Sequence, residues 1–230
     1  MKAYCIALKD NKVSQRSYKE LVKSSKSVKN DFDIQMFEAV TPEKVEKIMR
    51  EFDVAWNYPW KGSQIDFSSG LRKSAYETKD PLKRIACALS HYMLWKKCSR
   101  NGPILVLEHD AYFIKKLDTE YLLNSSYGII GINDPRGATR LSFKFHDMLQ
   151  NSKDDITGIP HIDDVKVPQG LAGNSAYIMK PSHAEHMLKM VKEFGMWPND
   201  ALMCRQLVPN LGVSKTYYTR VQGTTSTTSL

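Results

Sequence analysis

Ile104-Leu105-Val106-Leu107 is an unbroken apolar run, opened by Gly102-Pro103 and closed by Glu108-His109-Asp110. A short run of this kind, rich in Val, Ile and Leu and bounded by turn residues, reads as a β-strand buried in an α/β sheet. Side chains alternate along a strand, so Glu108 and Asp110 are expected on one face and His109 on the other. Ligands of open α/β sheets collect just outside the carboxyl ends of the strands. Two carboxylates placed there suit a hard divalent cation such as Mg²⁺ or Mn²⁺. The same pattern also describes a strand that simply runs into a polar surface loop.

The rest of the chain bounds that reading. Its 230 residues, 42% hydrophobic and 25% charged, suit one soluble α/β domain spanning 1–230. No apolar stretch approaches the ~18–20 residues that span a bilayer. The opening run Ala3–Leu8 is too short for a signal sequence, so a cytoplasmic location is expected. Cys5, Cys87, Cys98 and Cys204 are scattered without CxxC spacing and read as reduced cysteines rather than a disulfide or zinc framework. Net charge is +8, and residues 1–30 hold seven Lys and Arg16 against Asp10 and Glu20. That bias favours polyanions, including nucleic acid, anionic glycolipid and phosphorylated substrates, or describes a solvated helix face.

Strand and helix signals alternate, which argues for a mainly parallel sheet flanked by helices. Ala3–Leu8 is the first strand, and Ser14 is placed to cap a helix through Tyr18, Leu21 and Val22. Ile34–Val40 is a second strand, followed by a helix opened by Thr41-Pro42. Residues 53–79 lack periodicity and carry Trp56, Tyr58, Trp60 and Tyr76, a form that binding loops often take. Asp80-Pro81 opens a long helix to Lys96-Lys97, immediately before the acidic strand. Tyr127–Ile132 and Ala176–Met179 are further strands, and 141–167 is expected to be a mobile loop. Ser182-His183-Ala184-Glu185 has the capping-box pattern for a helix ending at Gly195, and Asn199 is placed to cap a last helix through Leu207. GxGxxG after the first strand, GxxxxGK[ST], HExxH and GxSxG are absent, and His183 and His186 read as surface histidines.

The block Arg84-Ile85-Ala86-Cys87-Ala88-Leu89-Ser90-His91, then Leu94-Trp95, then Ile104–Ala111, resembles glycosyltransferase family 25, the lipopolysaccharide-type and procollagen galactosyltransferases. Further landmarks fall in order. Leu8, Ser14 and Arg16 resemble the family's first strand and basic turn, and Phe37-Glu38-Ala39-Val40 its second strand. Ala172-Gly173-Asn174-Ser175-Ala176-Tyr177-Ile178 resembles its Gly-Thr-Ala-Gly-Tyr strand, and Pro198-Asn199-Asp200 its Pro-x-Asp. Gln222 followed by Ser226-Thr227 resembles its closing motif. His109 stands in place of the middle acid of the family's Glu-Asp-Asp, Ala86 in place of a Gly, and Thr41-Pro42 in place of an Asp-Gly.

The resemblance implies a GT-A fold, Rossmann-like, with 1–110 mainly the nucleotide-sugar and metal half and 111–230 mainly the acceptor and closing-loop half. It implies a metal-dependent, inverting transfer of a hexose from a nucleotide sugar, UDP-galactose or UDP-glucose first, with Mn²⁺ or Mg²⁺. The implied acceptor is a saccharide hydroxyl of an envelope glycolipid. Asp110 would be the principal metal ligand, Glu108 would assist through metal, water or ribose, and Asp200 would be the base. Asp200 has a second reading as an acid stabilising a helix N-terminus. Arg16 would pair with donor phosphate or lie on a solvated face. Ala39 and Val40 would line the nucleotide side. Ser90 would contact the donor or, like His91, make a core hydrogen bond. Gln222, Ser226 and Thr227 would close over the donor or belong to a polar tail. Two alternatives remain from charge: sugar transfer to modified bases of DNA, and a non-catalytic nucleic-acid-binding protein of the same fold.

Overall fold

The computed structural model describes residues 1–76, 78–138 and 141–223. In chain order the elements are β1 (Lys2–Ala7), α1 (Lys12–Ser27), β2 (Ile34–Glu38), α2 (Pro42–Glu51), β3 (Ser63–Ile65) and β4 (Arg72–Ser74). They continue with α3 (Pro81–Asn101), β5 (Ile104–Glu108), β6 (Ala111–Phe113), α4 (Thr119–Asn124), β7 (Ile129–Gly131) and α5 (Ser142–Gln150). The last are β8 (Ile156–Gly158), β9 (Ala176–Met179), α6 (Pro181–Phe194), α7 (Asn199–Leu202), β10 (Leu211–Ser214) and β11 (Thr219–Val221).

The central sheet has seven strands in the order β2-β1-β5-β9-β7-β10-β8. β2, β1, β5, β7 and β10 share one direction, and β9 and β8 run against them. The mainly parallel α/β sheet is therefore present, with β5 near its middle between β1 and β9. Alternation along β5 feeds two separate cores. Ile104 and Val106 pack with α3 and α6 residues such as Leu89, Trp95 and Met187. Leu105 and Leu107 pack on the other face with Leu21 of α1 and Leu122 of α4. Each such buried aliphatic side chain contributes about 1.5–3 kcal/mol over its exposed state. Among the described residues no helix is long and apolar enough to cross a membrane.

Several local expectations are corrected. Asn11, not Ser14, caps α1: its side chain accepts from Ser14 N, while Ser14 Oγ accepts from Leu8 N and ties the helix to β1. Segment 141–167 is not a bare loop but contains α5 and β8. Phe145 and Leu149, one turn apart, seat α5 in the core while Phe143 and Met148 face out, which blurs the apolar stripe in the sequence. α6 starts at Pro181, so Ser182 lies inside the helix and makes no cap. α7 stops at Leu202, preceded by Pro198 without a side-chain cap. Asp80 caps α3 as the sequence indicates, accepting from Leu82 N.

The aromatic segment before α3 docks against the α6–α7 junction. Asn57 N donates to Met196 O and Met196 N to Ala55 O. Gly195 (φ +78°) makes that approach possible, since a Cβ there would lie 2.7 Å from Asn57 Cβ. Lys73, 1% exposed, locks the β3–β4 hairpin: its Nζ donates to Asp66 Oδ1 (2.8 Å) and Asn57 O (2.9 Å) and sits 4.9 Å from the Trp197 ring centroid. Burial pushes the Asp66 carboxyl up, but hydrogen bonds from Lys73 and Ser69 outweigh it and hold it below the usual range. That contribution is present near neutral pH and is lost as pH falls through the lowered value. Lys73→Ala, which strands the Asp66 charge, is expected to cost about 3–5 kcal/mol in denaturant unfolding at neutral pH. A cost under about 1 kcal/mol, as for an exposed ion pair, would contradict this packing.

Candidate active site

β5 ends at Glu108, and the next two residues form a turn rather than continuing the strand. Alternation therefore stops at Glu108, and Glu108, His109 and Asp110 all contribute atoms to the lining of one cavity. The turn is held from behind by the C-terminal strand, where Val221 of β11 pairs with Ala111 of β6. Gln222 N donates to Asp110 O (2.8 Å), and its Nε2 donates to Ser17 O, His109 O and Ala111 O (2.9, 3.2 and 2.9 Å). The Gln222 side-chain N–H groups thus clamp the acidic turn onto α1.

The cavity is about 610 Å³. Its walls include Ala39 and Val40 after β2, Arg84, Cys87, Ser90 and His91 of α3, the acidic turn, Asn174, and Asp200 of α7. Ala39, Val40, Ser90, Glu108, Asp110 and Asp200 are thus brought together from distant parts of the chain. Arg16 is not among these residues: it lies exposed on α1, in a shallow depression with Lys9, Lys12 and Lys19. Ser226 and Thr227 lie outside the described residues. Ser90 Oγ accepts from Val40 N (2.9 Å) and donates to Ala86 O (2.8 Å), so its hydroxyl fixes the wall.

Glu108 is oriented by a chain of hydrogen bonds. Trp95 Nε1 donates to Tyr177 Oη (3.0 Å), Tyr177 Oη is 2.9 Å from His91 Nδ1, and His91 Nε2 is 3.1 Å from Glu108 Oε1. An indole N–H can only donate, which leaves the tyrosine proton for His91 Nδ1 in the imidazole tautomer protonated at Nε2. The imidazole then carries its own proton on Nε2 and presents it to the carboxylate. Cys87, His91 and Glu108 also place their ligand atoms within 4.8 Å of one another. Of these three, His91 is the one hydrogen-bonded to Glu108, while Cys87 Sγ lies 4.0 Å from Asn199 Oδ1.

Asp110 is the anomalous group. Its Oδ1 is buried without a hydrogen-bond partner. Burial, then the neighbouring Glu108 charge, pushes its carboxyl up to about 7. Buried polar atoms normally have partners, so an unpaired carboxylate oxygen beside a second carboxylate fits a divalent cation. Asn174 Nδ2 and Oδ1 and Arg84 Nε are also buried and unpaired. Burial raises the Asp200 carboxyl, with the Arg84 charge opposing, and burial together with Asp200 raises Tyr76. The arrangement offers hard oxygen ligands at the strand end, a guanidinium for anionic oxygens, and a buried carboxyl able to exchange a proton.

Arg84, Asn174 and the Tyr177 support carry no distinct signal of their own in the sequence. Arg84 and Asn174 fall inside the blocks that resemble family motifs, which is the signal the sequence offers for them. Trp95, Tyr177, His91 and Glu108 stand in the same motif blocks, but their bonding to one another has no local signal, since they meet only across α3, β9 and β5. His183 and His186 face the backbone carbonyls of Pro209 and Leu207 (3.0 and 2.8 Å) and so tie down a loop.

The model of glycosyltransferase family 25 (LPS biosynthesis protein) matches residues 1–203. No curated protein matches. Among solved structures, the galactosyltransferase LgtC in complex with donor and acceptor sugar analogs is similar at 10% identity, covering 93% of this chain and 72% of that one, with a TM-score of 0.46. The apo form of mouse xyloside xylosyltransferase 1 is similar at 9% identity over 88% and 80% of the two chains, with a TM-score of 0.42.

Folding raises the Asp110 carboxyl above its unfolded value, so its contribution to stability is complete below the usual carboxylate range and lost as pH rises toward 7. In EDTA the protein is expected to lose stability between about pH 4 and about pH 7, and Asp110→Asn to remove most of that loss. Unfolding curves across this range test it; equal pH dependence in protein and variant would contradict the assignment.

Proposed function

The chain belongs to glycosyltransferase family 25, and from that premise we propose that it moves a hexose from a nucleotide sugar to a saccharide hydroxyl, with a divalent cation at Glu108 and Asp110 and with inversion at the sugar carbon. The observation that carries this reading is the buried, unpaired Asp110 Oδ1 beside Glu108, on the wall that also holds Asp200. The donor is UDP-galactose or UDP-glucose, Mn²⁺ or Mg²⁺ is the cation, and the acceptor is an envelope glycolipid of the lipopolysaccharide type. The donor half is 1–110 and the acceptor half 111–230.

When bound, the cation supplies Lewis-acid neutralisation of charge on the departing nucleoside diphosphate. The chain's own residues do the rest. Glu108, fixed by His91, and Asp110, fixed through its carbonyl by Gln222, hold their oxygens in place before the donor arrives, so little ordering is left to binding. Arg84 Nε faces anionic oxygens of the donor. Asp200 takes the proton of the acceptor hydroxyl as the new glycosidic bond forms and the bond to the diphosphate breaks. Its burial, which raises the carboxyl, brings it closer to the working pH of a general base. The DNA acceptor and the non-catalytic reading, both drawn from charge, gain no support from the family match.

Donor turnover is expected with Mn²⁺ or Mg²⁺ and not with EDTA. Asp200→Asn should lower kcat by about 10²–10⁴-fold while nucleotide-sugar binding, read by thermal shift, persists. A cation-independent reaction would overturn the metal role. Full turnover in Asp200→Asn would overturn the base.

A further inference from the structure

The basic excess of the N-terminal segment is not scattered once α1 is formed. Lys12, Arg16, Lys19, Lys23 and Lys26 fall at i, i+4, i+7, i+11 and i+14, and all five are exposed. At 100° per residue they occupy an arc of about 80° and run about 21 Å along the helix. The opposite face is buried through Ser14, Ser17, Leu21, Ser24 and Ser25, so the stripe is held outward. None of the five joins an ion pair among the described residues, and Glu20 is the helix's one acid. The stripe starts at the cavity mouth: Asn11 and Val13 line the cavity, and Asn11 also lines the depression formed with Lys9, Lys12, Arg16 and Lys19, where Asp10 is the one acid. Val13 and Met36, whose sulfur accepts from Gln15 Nε2, leave apolar surface exposed beside it.

We propose that this face of α1 docks on an anionic lipid surface and so holds the cavity mouth at the plane where a lipid-borne acceptor presents its sugar. A row of cations on one helix face gains attraction from every charge at once when laid on a negatively charged bilayer, and added salt screens that attraction. The choice of lipid over nucleic acid rests on reading the acceptor as an envelope glycolipid.

The test is flotation with vesicles of phosphatidylcholine alone and of phosphatidylcholine mixed with phosphatidylglycerol, alongside duplex DNA. Two variants of equal net charge are compared with the unaltered protein. One carries Lys12→Gln, Lys19→Gln, Lys23→Gln and Lys26→Gln. The other carries Lys47→Gln, Lys153→Gln, Lys189→Gln and Lys192→Gln, all exposed and off the stripe. The expected result is salt-sensitive binding to the anionic vesicles only, weakened about 5-fold per stripe charge removed and much less in the control variant. Equal losses in both variants would reduce the effect to net charge and overturn the proposal. So would preferential, stripe-dependent binding to DNA, or no binding to anionic vesicles. Donor binding by thermal shift in the same samples keeps the outcomes separate: vesicle binding without donor binding would sink the sugar-transfer reading, and donor binding without vesicle binding would sink this one.

Discussion

A strand covered on both faces cannot carry charge within the sheet, and that constraint organises this molecule. β5 is such a strand, with Leu105 and Leu107 in one core and Ile104 and Val106 in the other. Leaving a carboxylate unpaired in either core would cost several kcal/mol. The chain therefore turns where the carboxylates begin, and Glu108, His109 and Asp110 come to the mouth of the sheet. Neighbouring segments then finish the site. α3 supplies His91 beneath Glu108, β11 and Gln222 grip the turn, and the residues before β9 and in α7 bring Asn174 and Asp200 to the same cavity.

The site differs from the rest of the protein in how its polar groups are satisfied. Elsewhere, buried polar side chains such as Ser14, Ser24, Lys73 and Asn133 have partners. Around the cavity, Asp110 Oδ1, both amide atoms of Asn174 and Arg84 Nε do not, whereas outside its lining only Thr119 Oγ1 and Ser175 Oγ are unpaired among the buried side-chain groups of the described residues. Folding leaves these groups unpaired at a cost that the two cores offset, which is the usual compromise between stability and a binding site. Behind the wall the reverse holds: the Trp95–Tyr177–His91–Glu108 chain is fully paired. One carboxylate is thus held rigidly while its neighbour is left wanting a positive charge.

Much of this was legible in sequence because the signals are local. The β5 run, the Asp80-Pro81 cap and the β9 strand need no distant partner to be recognised, and Asp110, Glu108 and Asp200 stand in motif blocks. What was not legible depends on residues far apart in the chain. Tyr177 and His91 are separated by 86 positions, and Gln222 reaches His109 across 113. α5 has a weak sequence signal because, of its apolar residues, only Phe145 and Leu149 are buried. The cap of α1 is ambiguous in sequence because Asn11 and Ser14 are both good capping residues, and only the hydrogen bond from Leu8 N to Ser14 Oγ decides their roles.

On the proposed function, Glu108 and Asp110 hold a divalent cation for a nucleoside diphosphate. The most direct test is a titration of the protein with Mn²⁺ and UDP, followed by the electron paramagnetic resonance signal of free Mn²⁺. The protein is expected to remove Mn²⁺ from solution in the presence of UDP, Asp110→Asn to abolish this, and Asp200→Asn to leave it intact. Undiminished Mn²⁺ uptake by folded Asp110→Asn would contradict this reading.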